Sequence, residues 1–285
     1  MDIRSILNLA ANGLERMGIP TPRLDAEVLL SHYLETDRLG LYRNPERLLA
    51  NEAVYGFHSC LARRQKGEPV AYITGQKEFW SLILEVNKEV LVPRPETEVL
   101  VEEVLRICSD LSFKNIDILE IGTGSGAIGI ALASELKESR IVATDISQGA
   151  IKVAMRNACN NNVENRMSFR QGNLFEPIST EKFDCIVSNP PYISKDDFHY
   201  LPIDIRMFEP ELALVAEREG LSFHEIIIRE ARSYLKEEGW LLMEIGTGQK
   251  DRVEDIFRKS GFYDDIGFRL DYAGIERVAM ARKKG

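Results

Sequence analysis

The sequence predicts an α/β protein whose doubly wound, mainly parallel seven-stranded sheet follows a small helical domain. Residues 1 to 75 show helical spacing of apolar side chains without a strand pattern. From Ile116 onward, short β-branched runs alternate with helical segments, which is typical of a parallel sheet covered by helices. A glycine-rich and a proline-rich turn each end one of these runs, and ligands bind at that edge of such sheets.

Length and composition limit the classes of protein that need to be considered. At 285 residues the chain is longer than one typical domain, and 44% hydrophobic with 28% charged residues is ordinary for a globular protein. A formal net charge of -9 argues against a large nucleic-acid footprint, because phosphate binding normally needs a basic face. No apolar run reaches the length of a membrane span, so no membrane partner is expected.

Cysteine spacing predicts neither a metal site nor a disulfide framework. Cys60, Cys108, Cys159 and Cys185 lie far apart in the chain and include no Cys-x-x-Cys pair. We therefore expect reduced thiols, no bound metal and a cytoplasmic protein.

The first domain is predicted to span residues 1 to 75. A helix begins at Ile3 and stops near Gly18, and Thr21 followed by proline is typical of an N-cap that opens a second helix. A further helix is expected over residues 51 to 66, with Gly67 as its stop. No catalytic constellation occurs in this part, so we expect it to serve recognition of the substrate.

Residues 76 to 92 are predicted to form a β-hairpin that links the domains. The alternating run at 78–86 and the run at 90–92 would be its strands, with Asn87 and Lys88 as the turn. This hairpin could be a plain linker or could help to line an active site, and the sequence leaves both open. Thr97 is the expected N-cap of the next helix, and residues 93 to 285 form the second domain.

The second domain contains a series of predicted strands. The carboxyl ends of the first four carry polar groups or glycines, and we expect these four ends to share one edge of the sheet. The strands are Ile116–Ile121, Ile141–Asp145, Met167–Arg170, Phe183–Ser188, Trp240–Ile245, Gly267–Leu270 and Val278–Ala281.

The turn after the first strand is the glycine loop Gly122-Thr123-Gly124-Ser125-Gly126. Its glycines allow a tight turn and let a ligand approach the following helix N-terminus. With Ala127 it also satisfies the dinucleotide pattern, and Asp145 lies 23 residues beyond Gly122, so an NAD dehydrogenase is one interpretation. No group suited to acid catalysis of hydride transfer accompanies the loop.

The turn after the fourth strand is Asn189-Pro190-Pro191-Tyr192. Asn189 offers a side-chain carbonyl, Pro190 a backbone carbonyl and Tyr192 an aromatic face, which together suit a planar group that bears an NH2. This tetrapeptide resembles that of amino-methyltransferases, which holds a planar nitrogen substrate beside S-adenosylmethionine. The two turns in this order favour a methyltransferase over a dehydrogenase.

Across its length the chain resembles the release factor glutamine methyltransferase family. The segments that carry this resemblance are 67–75, Phe79-Trp80, 93–98, 121–126, 189–193 and Phe208-Glu209-Pro210. The resemblance implies the class I methyltransferase fold, S-adenosylmethionine as cofactor, and peptide-chain release factors as the protein partner. The glutamine of their Gly-Gly-Gln motif would be methylated at N5, without stable binding of nucleic acid.

Site residues follow from the same resemblance. The glycine loop, with Gly122, Thr123, Gly124, Ser125 and Gly126, would admit the methionine portion of the cofactor. Asp145 would accept hydrogen bonds from the ribose hydroxyls, and Glu120 is a candidate partner of the ammonium group. Relatives often carry Asp-Trp where this chain has Asn173-Leu174, so aliphatic packing should replace adenine stacking there. Asn189, Pro190 and Tyr192 would be the catalytic residues and, together with Pro191, would bind the substrate, with Asn189 also beside the cofactor.

Two other functions are compatible with these motifs. An N6-adenine DNA methyltransferase would use the same turn for a flipped base stacked on Tyr192, but should carry a basic DNA-reading region. A catalytically silent S-adenosylmethionine-binding module is the other, and loss of Asn189 would have been its signature.

Overall fold

A computed structural model describes residues 1–110 and 115–285, which divide into two compact units. The first contains Met1–Gln76 and Pro202–Phe208, and the second contains Lys77–Leu201 and Glu209–Gly285. The return of residues 202 to 208 to the helical unit was not anticipated from the sequence. The helices are α1 (Ile3–Arg16), α2 (Pro22–Tyr33), α3 (Arg38–Arg43), α4 (Asn51–Gln65), α5 (Val70–Thr74), α6 (Glu98–Asp110), α7 (Ala127–Glu135), α8 (Gln148–Asn160), α9 (Lys195–Phe198), α10 (Ile203–Phe208), α11 (Glu217–Gly220), α12 (Ser222–Ala231) and α13 (Lys250–Ser260).

The first unit is a helical cluster around one apolar core. Ile6, Leu14, Leu29 and Phe57 are fully buried there, because the apolar stripes of α1, α2 and α4 face one another. Short helices α3 and α5 were not predicted individually. None of the helices in the described part of the chain combines the length and apolar content that a membrane span requires.

Thr21 is the N-cap residue of α2, as predicted, but its side chain does not bond to the helix end. No side-chain capping bond forms at this position, and the Thr21 hydroxyl instead donates to Asp25 Oδ1 at 2.7 Å. Asp25 is buried and also accepts from Arg64 Nε at 2.7 Å. The Thr21 hydroxyl therefore bonds to the buried Asp25–Arg64 ion pair and not to the backbone at the start of the helix.

The strands are β1 (Gln76–Phe79), β2 (Leu82–Glu85), β3 (Asp117–Ile121), β4 (Arg140–Asp145), β5 (Met167–Gln171), β6 (Phe183–Ser188), β7 (Leu235–Glu244), β8 (Tyr263–Leu270) and β9 (Glu276–Lys283). The hairpin β1–β2 is present, but its predicted turn at Asn87-Lys88 and its second strand at 90–92 are wrong. Its turn is Trp80-Ser81, where both residues have left-handed φ values of 53° and 57°. Glu98 accepts from the Trp80 backbone N–H at 2.8 Å, so a contact distant in sequence fixes this turn.

Among residues 1–110 and 115–285, seven strands form one sheet in the order β5-β4-β3-β6-β7-β9-β8. The pairings from β5 to β7 are parallel, and β9 pairs antiparallel with both β7 and β8. This arrangement confirms the predicted fold class. Strand order reverses between β3 and β6, where ligands bind in open α/β sheets. Ile121 pairs with both Thr144 and Ser188, so these strand ends meet at one edge.

Helices cover both faces of the sheet. One face, with Ile118 and Val187, packs against α6 and α7, and the other, with Leu119 and Ile186, packs against α12 and α13. A 3₁₀ turn at Pro95–Thr97 precedes α6, so the expectation that Thr97 is a plain N-cap is wrong. Its hydroxyl donates instead to Glu244, at the end of β7.

Candidate active site

The second unit contains a cavity of about 380 Å³ at the carboxyl edge of its parallel strands. Glu120, Gly126 and Tyr192 do not line it. The predicted site residues that do line it are Gly122, Thr123, Gly124, Ser125, Asp145, Asn173, Leu174, Asn189, Pro190 and Pro191.

The glycine loop presents open backbone to this cavity. Gly122 and Gly124 have left-handed φ values of 72° and 55°, which strain any residue with a side chain. A Cβ at either position would meet nothing within 4 Å, so a ligand can approach this backbone. At Gly126 a Cβ would lie 2.7 Å from Ile130 Cδ1, so that glycine serves the packing of α7.

Asp145 joins the glycine loop to the end of β4. Its Oδ2 accepts from Gly124 N at 2.8 Å, and its Oδ1 accepts from Ser147 N at 2.8 Å. Burial raises the pKa of this carboxyl group despite those bonds. A carboxylate oxygen accepts more than one hydrogen bond, so Asp145 retains acceptor capacity for hydroxyl groups in the cavity.

Glu120 lies beneath the glycine loop rather than in the cavity wall. Its side chain is buried, and its Oε2 accepts from the Thr123 hydroxyl at 2.7 Å. Oε1 is buried without a hydrogen-bond partner in the described part of the chain. Burial raises the pKa of Glu120 from 4.5 to about 7. Thr123 is its link to the cavity, and the direct contact of Glu120 with an ammonium group stays a prediction.

Aliphatic side chains flank the ends of β4 and β5. Leu174 lines the cavity with a left-handed φ of 49°, a conformation that non-glycine residues adopt uncommonly. Ile146, 47% exposed, also lines the cavity. Ile146 was not among the predicted site residues, although its position directly after Asp145 places it at the same strand end.

The Asn189 amide is bonded on one side only. Its Nδ2 donates to Thr97 Oγ1 at 3.2 Å, and the Thr97 hydroxyl donates to Glu244 Oε2 at 2.6 Å. Within residues 1–110 and 115–285, no hydrogen bond reaches Asn189 Oδ1, and Asn189 lines the cavity. Asn189 can therefore offer a free acceptor to a bound group.

Tyr192 stands behind the cavity wall. Its hydroxyl donates to Glu244 Oε1 at 3.0 Å, and its backbone carbonyl accepts from Gln249 Nε2 at 3.0 Å. Burial and the neighbouring Glu244 raise the pKa of Tyr192, so the phenol stays protonated. The stacking role predicted for Tyr192 does not include this hydrogen bond to Glu244.

The segment that follows the hairpin forms another wall of the cavity. Residues 76 to 92 are therefore not a plain linker, because the last of them line the site. Val90, Leu91 and Arg94 line the cavity, whereas the strands β1 and β2 do not. Buried Glu209 holds this segment, because it accepts from Arg94 Nη2 at 2.6 Å and from Val92 N at 3.1 Å. The motif segments around 94 and 209 were noted in the sequence without a role.

These features fit the S-adenosylmethionine that the resemblance implies. Open backbone at Gly122 and Gly124 leaves space for a chain-like group, and Asp145 supplies acceptors for ribose hydroxyls. Leu174 and Ile146 supply apolar surface for a base. The buried Glu120 Oε1 is an acceptor that no described residue satisfies.

Known proteins resemble this chain in both of its parts. Residues 5–75 match the PrmC N-terminal domain, and residues 96–209 match the methyltransferase small domain. A release factor glutamine methyltransferase of Aliivibrio fischeri is 42% identical over 99% of this chain and 98% of its own length. One of Geobacter sulfurreducens is 40% identical over 98% of this chain and 96% of its own length.

Two further similarities are more limited. A bifunctional methyltransferase of Rickettsia bellii is 40% identical over 92% of this chain, and the match spans 52% of that longer protein. The crystal structure of a methyltransferase from Pyrococcus furiosus aligns with a TM-score of 0.53 at 19% identity, over 72% of this chain and 90% of that one. The second likeness concerns the fold alone.

Proposed function

The chain belongs to the release factor glutamine methyltransferase family, and we propose that it methylates the glutamine of the Gly-Gly-Gln motif in a peptide-chain release factor. The acceptor atom is the side-chain amide nitrogen, N5, and the methyl donor is S-adenosylmethionine. The observation that carries this proposal is the free Oδ1 of Asn189, an acceptor held at the cavity by the Thr97 bond.

Cofactor binding is assigned to the open strand ends. The backbone of residues 122–125 would hold the methionine portion, Asp145 the ribose, and Leu174 with Ile146 the adenine. When bound, S-adenosylmethionine supplies an electrophilic methyl group on a sulfonium centre.

The turn at 189–192 addresses the weak nucleophilicity of the substrate. A carboxamide nitrogen is a poor nucleophile because its lone pair is delocalised into the carbonyl group. Asn189 Oδ1 and the Pro190 backbone carbonyl would accept its two N–H groups and fix the direction of the nitrogen. Orientation of two held partners can contribute about 7–11 kcal/mol, so the proposal does not depend on a strong base.

Partner recognition is assigned to the helical unit. The residues that line the cavity all belong to the second unit, which leaves residues 1–75 available for contact with the release factor. A net charge of -9 supports a protein partner rather than a stable nucleic-acid complex. We place the reaction in the cytoplasm, where release factors act.

A labelling experiment tests this proposal. The protein and methyl-labelled S-adenosylmethionine are incubated in three separate reactions, with purified release factor, with duplex DNA and with ribosomal RNA. We expect label in the release factor alone, mapped by peptide mass spectrometry to the Gly-Gly-Gln glutamine. Label in DNA would instead favour an adenine methyltransferase, and label in neither protein nor nucleic acid would refute the proposal.

Two controls separate chemistry from binding. Asn189→Ala should abolish methylation while cofactor affinity stays near that of the wild type. A release factor with glutamate in place of the glutamine has no NH2 to satisfy the two acceptors, so it should react slower by about 10⁴-fold or more. Methylation of the glutamate variant near the glutamine rate would show that the turn does not recognise the amide.

A further inference from the structure

The buried carboxylate of Glu244 is linked to both ends of the turn at 189–192, to Asn189 through Thr97 and to Tyr192 directly. Ser188 of β6 pairs with Met243 of β7. The next residue of each strand end, Asn189 and Glu244, therefore lies beside the other. Glu244 is 1% exposed and accepts from Thr97 through Oε2 and from Tyr192 through Oε1. Thr97 is 4% exposed and bonds to Asn189. The bond between Thr97 and Glu244 is therefore shielded from competition with water.

The direction of each bond follows from the chemistry of the groups. An ionised carboxylate only accepts, so the single hydroxyl proton of Thr97 points to Glu244. Thr97 Oγ1 can then only accept from Asn189, which must present its NH2 group. The carbonyl oxygen of Asn189 is consequently the atom left for the cavity.

Reversal of this direction would change what the turn can bind. If the Thr97 proton were free, it could donate to Asn189 Oδ1, and the amide would turn its NH2 group to the cavity. A donor there opposes the NH2 of a glutamine and suits the carboxylate of a glutamate. The orientation of one amide therefore separates these two side chains.

We propose that Glu244 and Thr97 are positioning residues that orient the Asn189 amide and so select a carboxamide over a carboxylate substrate. This inference rests on the proposed function and extends it to residues that do not themselves react. Tyr192 shares the same carboxylate but lies outside the Thr97–Asn189 branch.

The test compares two substitutions of Thr97. Thr97→Ser keeps the hydroxyl, and Thr97→Val keeps the shape without it. We expect Thr97→Ser to remain close to wild type, and Thr97→Val to lower kcat about 10–100-fold with unchanged cofactor Kd. The ratio of rates on glutamine and glutamate release factors should fall in Thr97→Val alone. Loss of kcat without a change in this ratio would overturn the proposal.

Glu244→Gln supplies an independent measurement. Its amide can donate to Thr97 and free the hydroxyl proton, so kcat and the rate ratio should fall while Thr97 is still present. Because both residues act through one amide, the Thr97→Val/Glu244→Gln double variant should lose less than the two single losses combined. Fully additive losses, or a Thr97→Val enzyme equal to wild type, would refute the inference. Failure of the wild type to methylate release factor would refute the proposed function instead.

Discussion

Replacement of Glu120 by glutamine should remove a pH dependence of stability that this residue imposes. The Glu120 carboxyl group is buried, with a Thr123 hydroxyl on one oxygen and no partner for the other in the described residues. Glutamine keeps the oxygen that Thr123 needs and cannot ionise. Any cost of its unpartnered NH2 group is independent of pH, so the comparison with wild type isolates the ionisation.

The magnitude follows from the raised pKa. Burial shifts the pKa of Glu120 from 4.5 to about 7, so between these values the folded state binds more protons than the unfolded state. Stability therefore falls as pH rises through this window and levels off above the folded pKa. Integrated from pH 5 to pH 8, the effect is about 2.5 kcal/mol.

Both tryptophans, Trp80 and Trp240, belong to the second unit, so their fluorescence reports its unfolding. Urea titrations of wild type and Glu120→Gln at pH 5 to 8 should show the variant gaining about 2.5 kcal/mol over wild type as pH rises. Glu85→Gln is the control, because hydrogen bonds from Arg156 lower the pKa of Glu85 and confine its effect on stability to pH values near and below 4.5. Its stability difference from wild type should therefore stay nearly constant between pH 5 and 8. A stability difference between Glu120→Gln and wild type that stays constant with pH would refute the reasoning.

Three further predictions concern binding and recognition. Asp145→Ala should weaken cofactor binding by about 1.5–3 kcal/mol through lost ribose hydrogen bonds, with the fold kept. Unchanged affinity in calorimetry would contradict this assignment. Tyr192→Phe should retain more methylation activity than Tyr192→Ala, because the ring remains when only the bond to Glu244 is lost. Tyr263→Phe, which removes a buried hydroxyl bond to Ile228 O, is the matched control for stability, and equal activity of both Tyr192 variants would exclude a role of the ring. A chain that begins at Lys77 should bind cofactor but methylate release factor poorly, and full activity of this chain would exclude recognition by the helical unit.

The parallel strands were predictable because burial on both faces leaves continuous apolar runs between turn residues. The strand predicted at 183–188 has those bounds in the structure, and the one predicted at 116–121 starts one residue later. The hairpin turn was not predictable in this way. Trp80 and Ser81 have no intrinsic preference for left-handed φ, and Glu98, distant in sequence, holds the turn.

The candidate site likewise contains residues that the sequence predicts and contacts that it does not. Residues at the carboxyl ends of β3, β4 and β6 could be grouped from sequence, because parallel topology places those ends together. The bonds of Thr97 could not, since they depend on the register that sets Asn189 beside Glu244. Residue type suggested a helix cap for Thr97, and a buried carboxylate 147 residues away decided its bond.

Two buried glutamates act on the cavity through threonines in the same way. Glu120 accepts from Thr123 at 2.7 Å and Glu244 accepts from Thr97 at 2.6 Å. Both threonines line the cavity, and neither glutamate does. Burial raises the pKa of both carboxyl groups, which means that each opposes folding when ionised. An apolar residue would avoid that penalty, but a carboxylate, when ionised, only accepts and so fixes the direction of the threonine hydroxyl proton. We infer that the stability lost at each strand end allows a defined pattern of donors and acceptors, at the glycine loop through Thr123 and at the Asn189 amide through Thr97.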